Sequence, residues 1–390
     1  MNPWNVLVPP LGQDALLRQR VARAVAPRLR RLRWELPALR DVRPPTDGRL
    51  RGWIHAMEEA RSLLDEASRL RDPSALVAHV ADLGLLAELA PGGRIPRDFA
   101  ARAARAARAQ LRRQVQAWNT PRRVRENDLD LGLLAGDPPI AEGLSVGRVV
   151  TTRATTVSVG EEDARFGENV FHALNFLGAV WPEAAQMVLG RTWRVVPIVE
   201  KAVVSYSSAA RPGVAWIQRA LGRGRGAAGA MHLAEHLLHE GTHQRVHDLE
   251  VLAPIAPADE DGPRFYSPWR QEWRPLRGLL HGACTFTVGA GYFVRVLRGL
   301  EEERVVLDAG ERPWLTRRFL EEMENVRVAL RYLERTPLPR AGKRLLATVK
   351  REHAALRAEA RRRHARLSRV ERAAVEAHAR TLRAQPLRWG

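Results

Sequence analysis

The sequence predicts an α+β protein that is predominantly helical, and three observations lead there. Long stretches carry apolar residues at the helical period, Pro and Gly fall between them, and only short Val- and Thr-rich regions read as strand. Residues 12–34, 52–70, 73–90 and 98–118 predict four helices, broken at Arg43-Pro44-Pro45 and Pro91-Gly92-Gly93. They carry no recognisable chemistry and form an N-terminal helical region over 1–135. Near Gly136-Asp137-Pro138-Pro139 the texture changes, which places a linker or domain boundary around 125–140. Leu144–Val159 then alternates as strands or a hairpin would, and a helix over 164–178 continues after Pro182. Trp193–Tyr206 reads as strand, Ser207 to Gly213 as a turn, and Val214–Ile217 as a further strand. A helix over Ala227–Leu252 follows, with Leu233, Leu237, Leu238, Val246 and Leu249 as its apolar side and Pro254 as its stop. Helices over 275–298, 314–335, 340–366 and 368–384 close the chain. Residues 136–300 form the middle domain, and 301–390 a C-terminal helical region expected to pack on it.

Composition bounds the function classes. A chain of 390 residues with 45% hydrophobic content and eleven Trp can bury a large core, so disorder is excluded. The single Cys284 permits no internal disulfide and no Cys-rich zinc or iron–sulfur site, leaving His, carboxylate and water as metal ligands. No basic segment with an apolar run opens the chain and no eighteen consecutive apolar residues occur, so a soluble cytoplasmic protein with no membrane partner is expected. The net charge of +19 invites a nucleic-acid reading. Yet all but three of the basic residues are Arg, the exceptions being Lys201, Lys343 and Lys350. They lie mostly on helices mixed with Ala and Glu, as on solvated faces; an acidic peptide or leader segment fits the charge better than nucleic acid.

The chemistry concentrates at His239-Glu240-Gly241-Thr242-His243. On a helix this spacing stacks two imidazoles about one turn apart, ~6 Å along the axis, so that both can hold one divalent ion with Glu240 beside it. Five of the twelve histidines, His232, His236, His239, His243 and His247, fall on this helix. His232, His236 and His247 read as structural; His247 lies ~12 Å along the axis from His239, too far to share its ion. The motif by itself predicts a zinc peptidase with Glu240 as general base. The extended metal motif would need Gly at Val246 and His at Leu249, so the third ligand must lie elsewhere. The best candidate is His281. A histidine on so apolar a helix is commonly a satisfied core residue, but the arginines shortly before it, Arg270, Arg274 and Arg277, supply planar forks for a carboxylate. A peptidase needs no such cluster; an enzyme with a dicarboxylate cosubstrate does.

Taken together, Leu237-Leu238-His239-Glu240-Gly241-Thr242-His243-Gln244, Tyr266-Ser267-Pro268-Trp269-Arg270, Arg274-Pro275-Leu276 and Leu279-Leu280-His281-Gly282 resemble the HExxH-containing peptide-modification family of ribosomal natural-product pathways. Ser205 to Val214 is also similar to that family's approach to the motif helix, and the likeness spans about residues 165–300. The resemblance implies a zincin-like small sheet plus motif helix between helical layers, and Fe(II)/2-oxoglutarate-dependent β-hydroxylation of a precursor peptide. It implies Fe(II) on His239, His243 and His281, with Arg270 or Arg274 on the distal carboxylate of 2-oxoglutarate and Glu240 near the metal. Three protein ligands leave three positions on an octahedral ion, two for the keto acid and one for O₂. Another peptide-modifying enzyme is a possible partner. Two other classes stand beside this reading: a zinc metallopeptidase, in which the arginines are dispensable, and a non-catalytic peptide-binding protein, in which the His pair is.

Overall fold

The computed structural model describes residues 7–10, 15–35, 51, 54, 58, 149–151, 156–158, 164–192, 194–198, 204–209, 211–223, 226–257, 264–308 and 310–384. These residues form a predominantly helical α+β protein. The helices are α1 (Ala15–Glu35), α2 (Ala164–Val180), α3 (Pro182–Leu189), α4 (Gly226–Leu252), α5 (Leu276–Glu301), α6 (Glu311–Leu333), α7 (Arg340–Ala365) and α8 (Arg369–Arg383). The strands are β1 (Val149–Thr151), β2 (Thr156–Ser158), β3 (Arg194–Ile198), β4 (Ser205–Ser208), β5 (Arg211–Gln218), β6 (Arg264–Ser267) and β7 (Glu272–Pro275). The chain divides into two units, one of Met1–Val21, His172–Leu189 and Gly224–Gly390, the other of Ala22–Phe171 and Gly190–Arg223. Of the helices predicted at 52–70, 73–90 and 98–118, only Ile54 and Glu58 are described, both helical; the rest and the 125–140 linker lie outside the described residues.

The second unit contains the strands from β1 to β5. β1 and β2 pair antiparallel, as the alternation in Leu144–Val159 predicts. β5 is the centre of a three-stranded mixed sheet in the order β3-β5-β4, parallel to β3 and antiparallel to β4. The strand predicted over Trp193–Tyr206 is thus two strands on opposite edges. The turn predicted over Ser207–Gly213 is tighter than expected, because Ser207 and Ser208 stay in β4 and Arg211–Gly213 in β5. A register shift at Ser207/Ser208 and a left-handed Gly213 (φ 83°) make that reversal, the latter a conformation that suits glycine.

The first unit is a stack of helices around α4 and α5. The sequence assigns α4 one apolar side, and its Leu233, Leu237, Leu238, Val246 and Leu249 are indeed buried. Gln244, Arg245, Asp248 and Glu240 are buried as well, so the helix is enclosed on nearly every face. Gly241 permits this on one side: a Cβ there would stand 2.8 Å from Val188 Cγ2 of α3. On another, the Tyr292 hydroxyl of α5 donates to the Met231 carbonyl at 2.8 Å. Where α5 packs on α6 and α7, Leu279, Leu280, Ala283, Val288, Phe293 and Leu297 of α5 are buried, as are Leu315, Phe319, Val326, Leu330 and Leu333 of α6 and Leu345 and Val349 of α7. Each fully buried aliphatic side chain contributes roughly 1.5–3 kcal/mol, so this interior holds the C-terminal helices to α5. α8 starts at a capping box in which Ser368 Oγ accepts from the Glu371 N–H and Glu371 accepts from the Ser368 N–H.

One buried carboxyl makes the stability of this interior pH-dependent. Glu322 of α6 accepts from Arg318 at 2.6 Å and from Asn325 at 3.1 Å. Burial pushes its carboxyl up to about 7, opposed by Arg318 and Asn325 and reinforced by Glu235 and Glu321. Because the folded state holds this proton more tightly than the unfolded chain, the associated stability is complete below the ordinary value of 4.5 and is lost as pH rises through about 7. Glu322→Gln should therefore flatten the profile: denaturant unfolding at pH 5 and pH 8 should differ by up to about 3 kcal/mol less in the variant than in the parent.

Candidate metal centre

α4 carries His239 and His243 one turn apart, and their Nε2 atoms face each other at 3.2 Å. Both rings keep some exposure while packed in protein, and Phe286 of α5 meets His239 edge-on with centroids 5.0 Å apart. Burial pushes His239 down to about 3, with the positive fields of His236 and Arg270 adding to it. His243 is pushed well below its ordinary value by burial, then by His239, His281, His247 and Arg274. Both imidazoles are therefore neutral at physiological pH, with lone pairs available to an ion.

His281 of α5 stands on the other edge of His243, Nδ1 to Nδ1 at 3.2 Å. An imidazole's two nitrogens lie on different edges, so His239, His243 and His281 form a chain with His243 in the middle. The far nitrogen of His281, Nε2, is 3.1 Å from Glu250 Oε1, an electrostatic contact bent away from an aligned hydrogen bond. Glu250, absent from the sequence reading, is the anchor of this end. Arg277 donates to both of its oxygens, at 2.5 and 2.6 Å, and His247 Nδ1 lies 3.0 Å from Oε2. Burial alone would raise the Glu250 carboxyl; the Arg277 fork and the contacts of His247 and His281 hold it far below the usual range.

His247 is thus more than a bystander. Its distance from His239 was the ground for setting it aside, but its neighbour in space is His281, with ring centroids 4.7 Å apart. One ligand atom each of His247, Glu250 and His281 falls within 4.8 Å of the others, so this group could also hold an ion. The signal in the sequence was the stripe 239, 243, 247 and 250, whose spacings of four, four and three keep all four residues on one helix face. Of the histidines read as structural, His232 Nε2 lies 3.5 Å from Glu311 and His236 Nε2 3.7 Å from Glu235.

The β6–β7 hairpin was not predicted. Its two four-residue strands, RFYS and EWRP, carry no apolar alternation long enough to read. Gln271 in its turn takes a left-handed φ of 54°. The turn is held by Trp269, which lies on Phe286 with centroids 4.6 Å apart and on Gly282, where a Cβ would come within 2.0 Å of Trp269 Cζ2. This seat brings Arg270 and Arg274 to the histidines, since Arg270 depresses His239 and Arg274 depresses His243. Arg274 is itself lowered by burial and then by Arg270, with exposed Glu272 opposing at 3.4 Å. α5 adds positive potential, because its N-terminus has no side-chain cap and no acid in its first turn.

These residues fit a divalent metal. His239 and His243 offer converging neutral nitrogens, whereas His281, the third ligand expected from the sequence, faces the other edge of His243 and brings no nitrogen to the point where those two meet. Glu240 is buried beside them in the chain, and burial pushes the Cys284 thiol far above its ordinary value, which keeps it chemically inert. Together the neutral histidines and clustered guanidiniums make a place for a cation whose remaining positions take an anion. Compared with known proteins, the chain matches no family model and no curated protein.

Proposed function

We propose that the chain is an Fe(II)/2-oxoglutarate-dependent enzyme that β-hydroxylates a side chain of a ribosomally made precursor peptide. The observation that carries this reading is the pair of arginines whose charges bear directly on the His239–His243 pair. Two guanidiniums beside a metal grip raise the cost of leaving the site without an anion, and a dicarboxylate offers one carboxylate to the metal and one to an arginine fork. A peptidase gains nothing from them. Zinc-dependent cleavage remains the second reading because Glu240 occupies the position of that chemistry's general base.

In this proposal His239 and His243 hold the ion and His281 supports His243 from its other edge, while Arg270 or Arg274 binds the distal carboxylate. With metal and cosubstrate bound, the centre would use O₂ to cleave 2-oxoglutarate to succinate and CO₂, placing the second oxygen atom in a peptide C–H bond. Phe286 packs edge-on against His239, and Trp269 packs in turn on Phe286. A zincin-like fold belongs to the same reading, on the order strand, turn, strand, helix along the chain. So does a cytoplasmic setting; among the described residues no helix is long and apolar enough to cross a membrane.

Succinate measured from 2-oxoglutarate in the presence of Fe(II), O₂ and peptides tests the reading. The parent should form it and Arg274→Ala should form at most about a tenth as much, the loss of one charge-assisted fork. Peptide hydrolysis by zinc-loaded protein, without keto acid and unaffected by Arg270→Ala or Arg274→Ala, would replace hydroxylation with peptidase chemistry.

A further inference from the structure

The group His247–Glu250–His281 can be read as a second metal site or as the support of the first, and Arg277 decides between them. A guanidinium bonded to both carboxylate oxygens already neutralises Glu250. Its Nη2 also lies 3.3 Å from His247 Nδ1, so a cation placed among these ligands would stand against a fixed positive charge. We propose that Glu250, clamped by Arg277, is a positioning residue that fixes the proton of His281 on Nε2, so that His281 Nδ1 accepts from His243 Nδ1–H and leaves the Nε2 lone pair of His243 to the ion. This rests on the reading of His239 and His243 as the metal ligands.

The geometry carries each part. The carboxylate is 3.1 Å from His281 Nε2, and a carboxylate beside one imidazole nitrogen stabilises the tautomer with its proton there. The lone pair is then on Nδ1, which faces Nδ1 of His243 at 3.2 Å and can accept its proton, so that the Nε2 of His243, 3.2 Å from His239 Nε2, keeps its lone pair for the ion. Glu250 is in turn set by groups from two helices, Arg277 from the first turn of α5 and His247 from its own helix, so the carboxylate cannot swing away without breaking three contacts. The arrangement ties the last turns of α4 to the start of α5, the segment that follows Arg274.

Titration of the full-length protein with Co(II), whose visible spectrum reports ligand number and geometry, tests this role. The parent should bind one equivalent, and His239→Ala should lose it. Glu250→Ala and Arg277→Met should each still saturate at one equivalent but bind about 10–100-fold more weakly, with an altered d–d band, the range seen when an outer-shell partner of a ligating histidine is removed. Glu250→Gln, which keeps an oxygen toward His281, should recover most of the affinity and the parent spectrum. Unchanged affinity and spectrum in Glu250→Ala, with His239→Ala still inactive toward Co(II), would overturn the role of Glu250 alone. Two equivalents in the parent and one in Glu250→Ala would overturn it in favour of a second metal site. Equal binding by His239→Ala and the parent would overturn the metal pair, and this role with it.

Discussion

The His243→Ala protein is expected to lose divalent metal binding by more than about 100-fold, beyond the loss from any outer-shell change. His243 is the middle of the imidazole chain, 3.2 Å from His239 through Nε2 and 3.2 Å from His281 through Nδ1. Removing it deletes a ligand and cuts His239 off from His281, whereas His239→Ala and His281→Ala each remove one end. The order of effect should therefore be His243 first, with the two end residues behind it. Isothermal titration with Zn²⁺ or Co²⁺ checks this, and circular dichroism should show the helices intact, since the alanine fits a helix and relieves a ring whose surroundings are electropositive. A His243→Ala protein that keeps parental affinity would mean that the ion is held elsewhere.

Gly282→Ala is expected to unseat the β6–β7 turn from α5. The added methyl would fall 2.0 Å from Trp269 Cζ2 and 2.4 Å from Cε2, distances at which the indole must leave its seat on α5. Overpacking of this kind costs about 1–3 kcal/mol. The functional consequence should exceed the loss of stability, because Trp269 precedes Arg270 in the turn that also leads into Arg274. Keto-acid affinity should fall by at least about tenfold, a loss of one well-placed charged contact, while metal affinity stays near parental because His239 and His243 sit on the other helix. Trp269→Ala made together with Gly282→Ala should restore stability relative to Gly282→Ala alone, as the clash disappears, but not keto-acid binding. Thermal melts and a 2-oxoglutarate titration of the metal-loaded variants measure the two effects separately.

Both arguments turn on how α4 and α5 approach each other, and that is where the sequence stops being legible. The helices themselves could be read from their period and punctuation: Pro254 ends the motif helix, Pro275 precedes α5 and Pro339 precedes α7. His239 and His243 could be paired because their relation is local, one turn on one helix. Glu250 and His247 could not, since their importance arises only when α5 delivers His281 and Arg277 to the same helix face. Judging His247 by its distance along α4 from His239 asked the wrong question; the relevant distance is across to α5. The β6–β7 hairpin was hidden for a different reason. Its residues Arg264, Glu272 and Trp273 point outward, leaving too few apolar positions for alternation to register, and its seat on Gly282 is a long-range contact that no local pattern encodes. The burial of the polar residues Gln244, Arg245 and Asp248 of α4 is likewise a matter of packing that no local pattern encodes.

The arginines are the point at which oxygenase and peptidase readings separate, so the most direct measurement is anaerobic titration of 2-oxoglutarate into the Fe(II)-loaded protein, followed by visible absorption. A saturable metal-to-ligand charge-transfer band is expected, absent in His243→Ala and requiring at least about tenfold more keto acid in Arg270→Ala or Arg274→Ala. Iron bound with no such band at any keto-acid concentration would contradict the account and leave hydrolysis at His239, Glu240 and His243 as the chemistry to pursue.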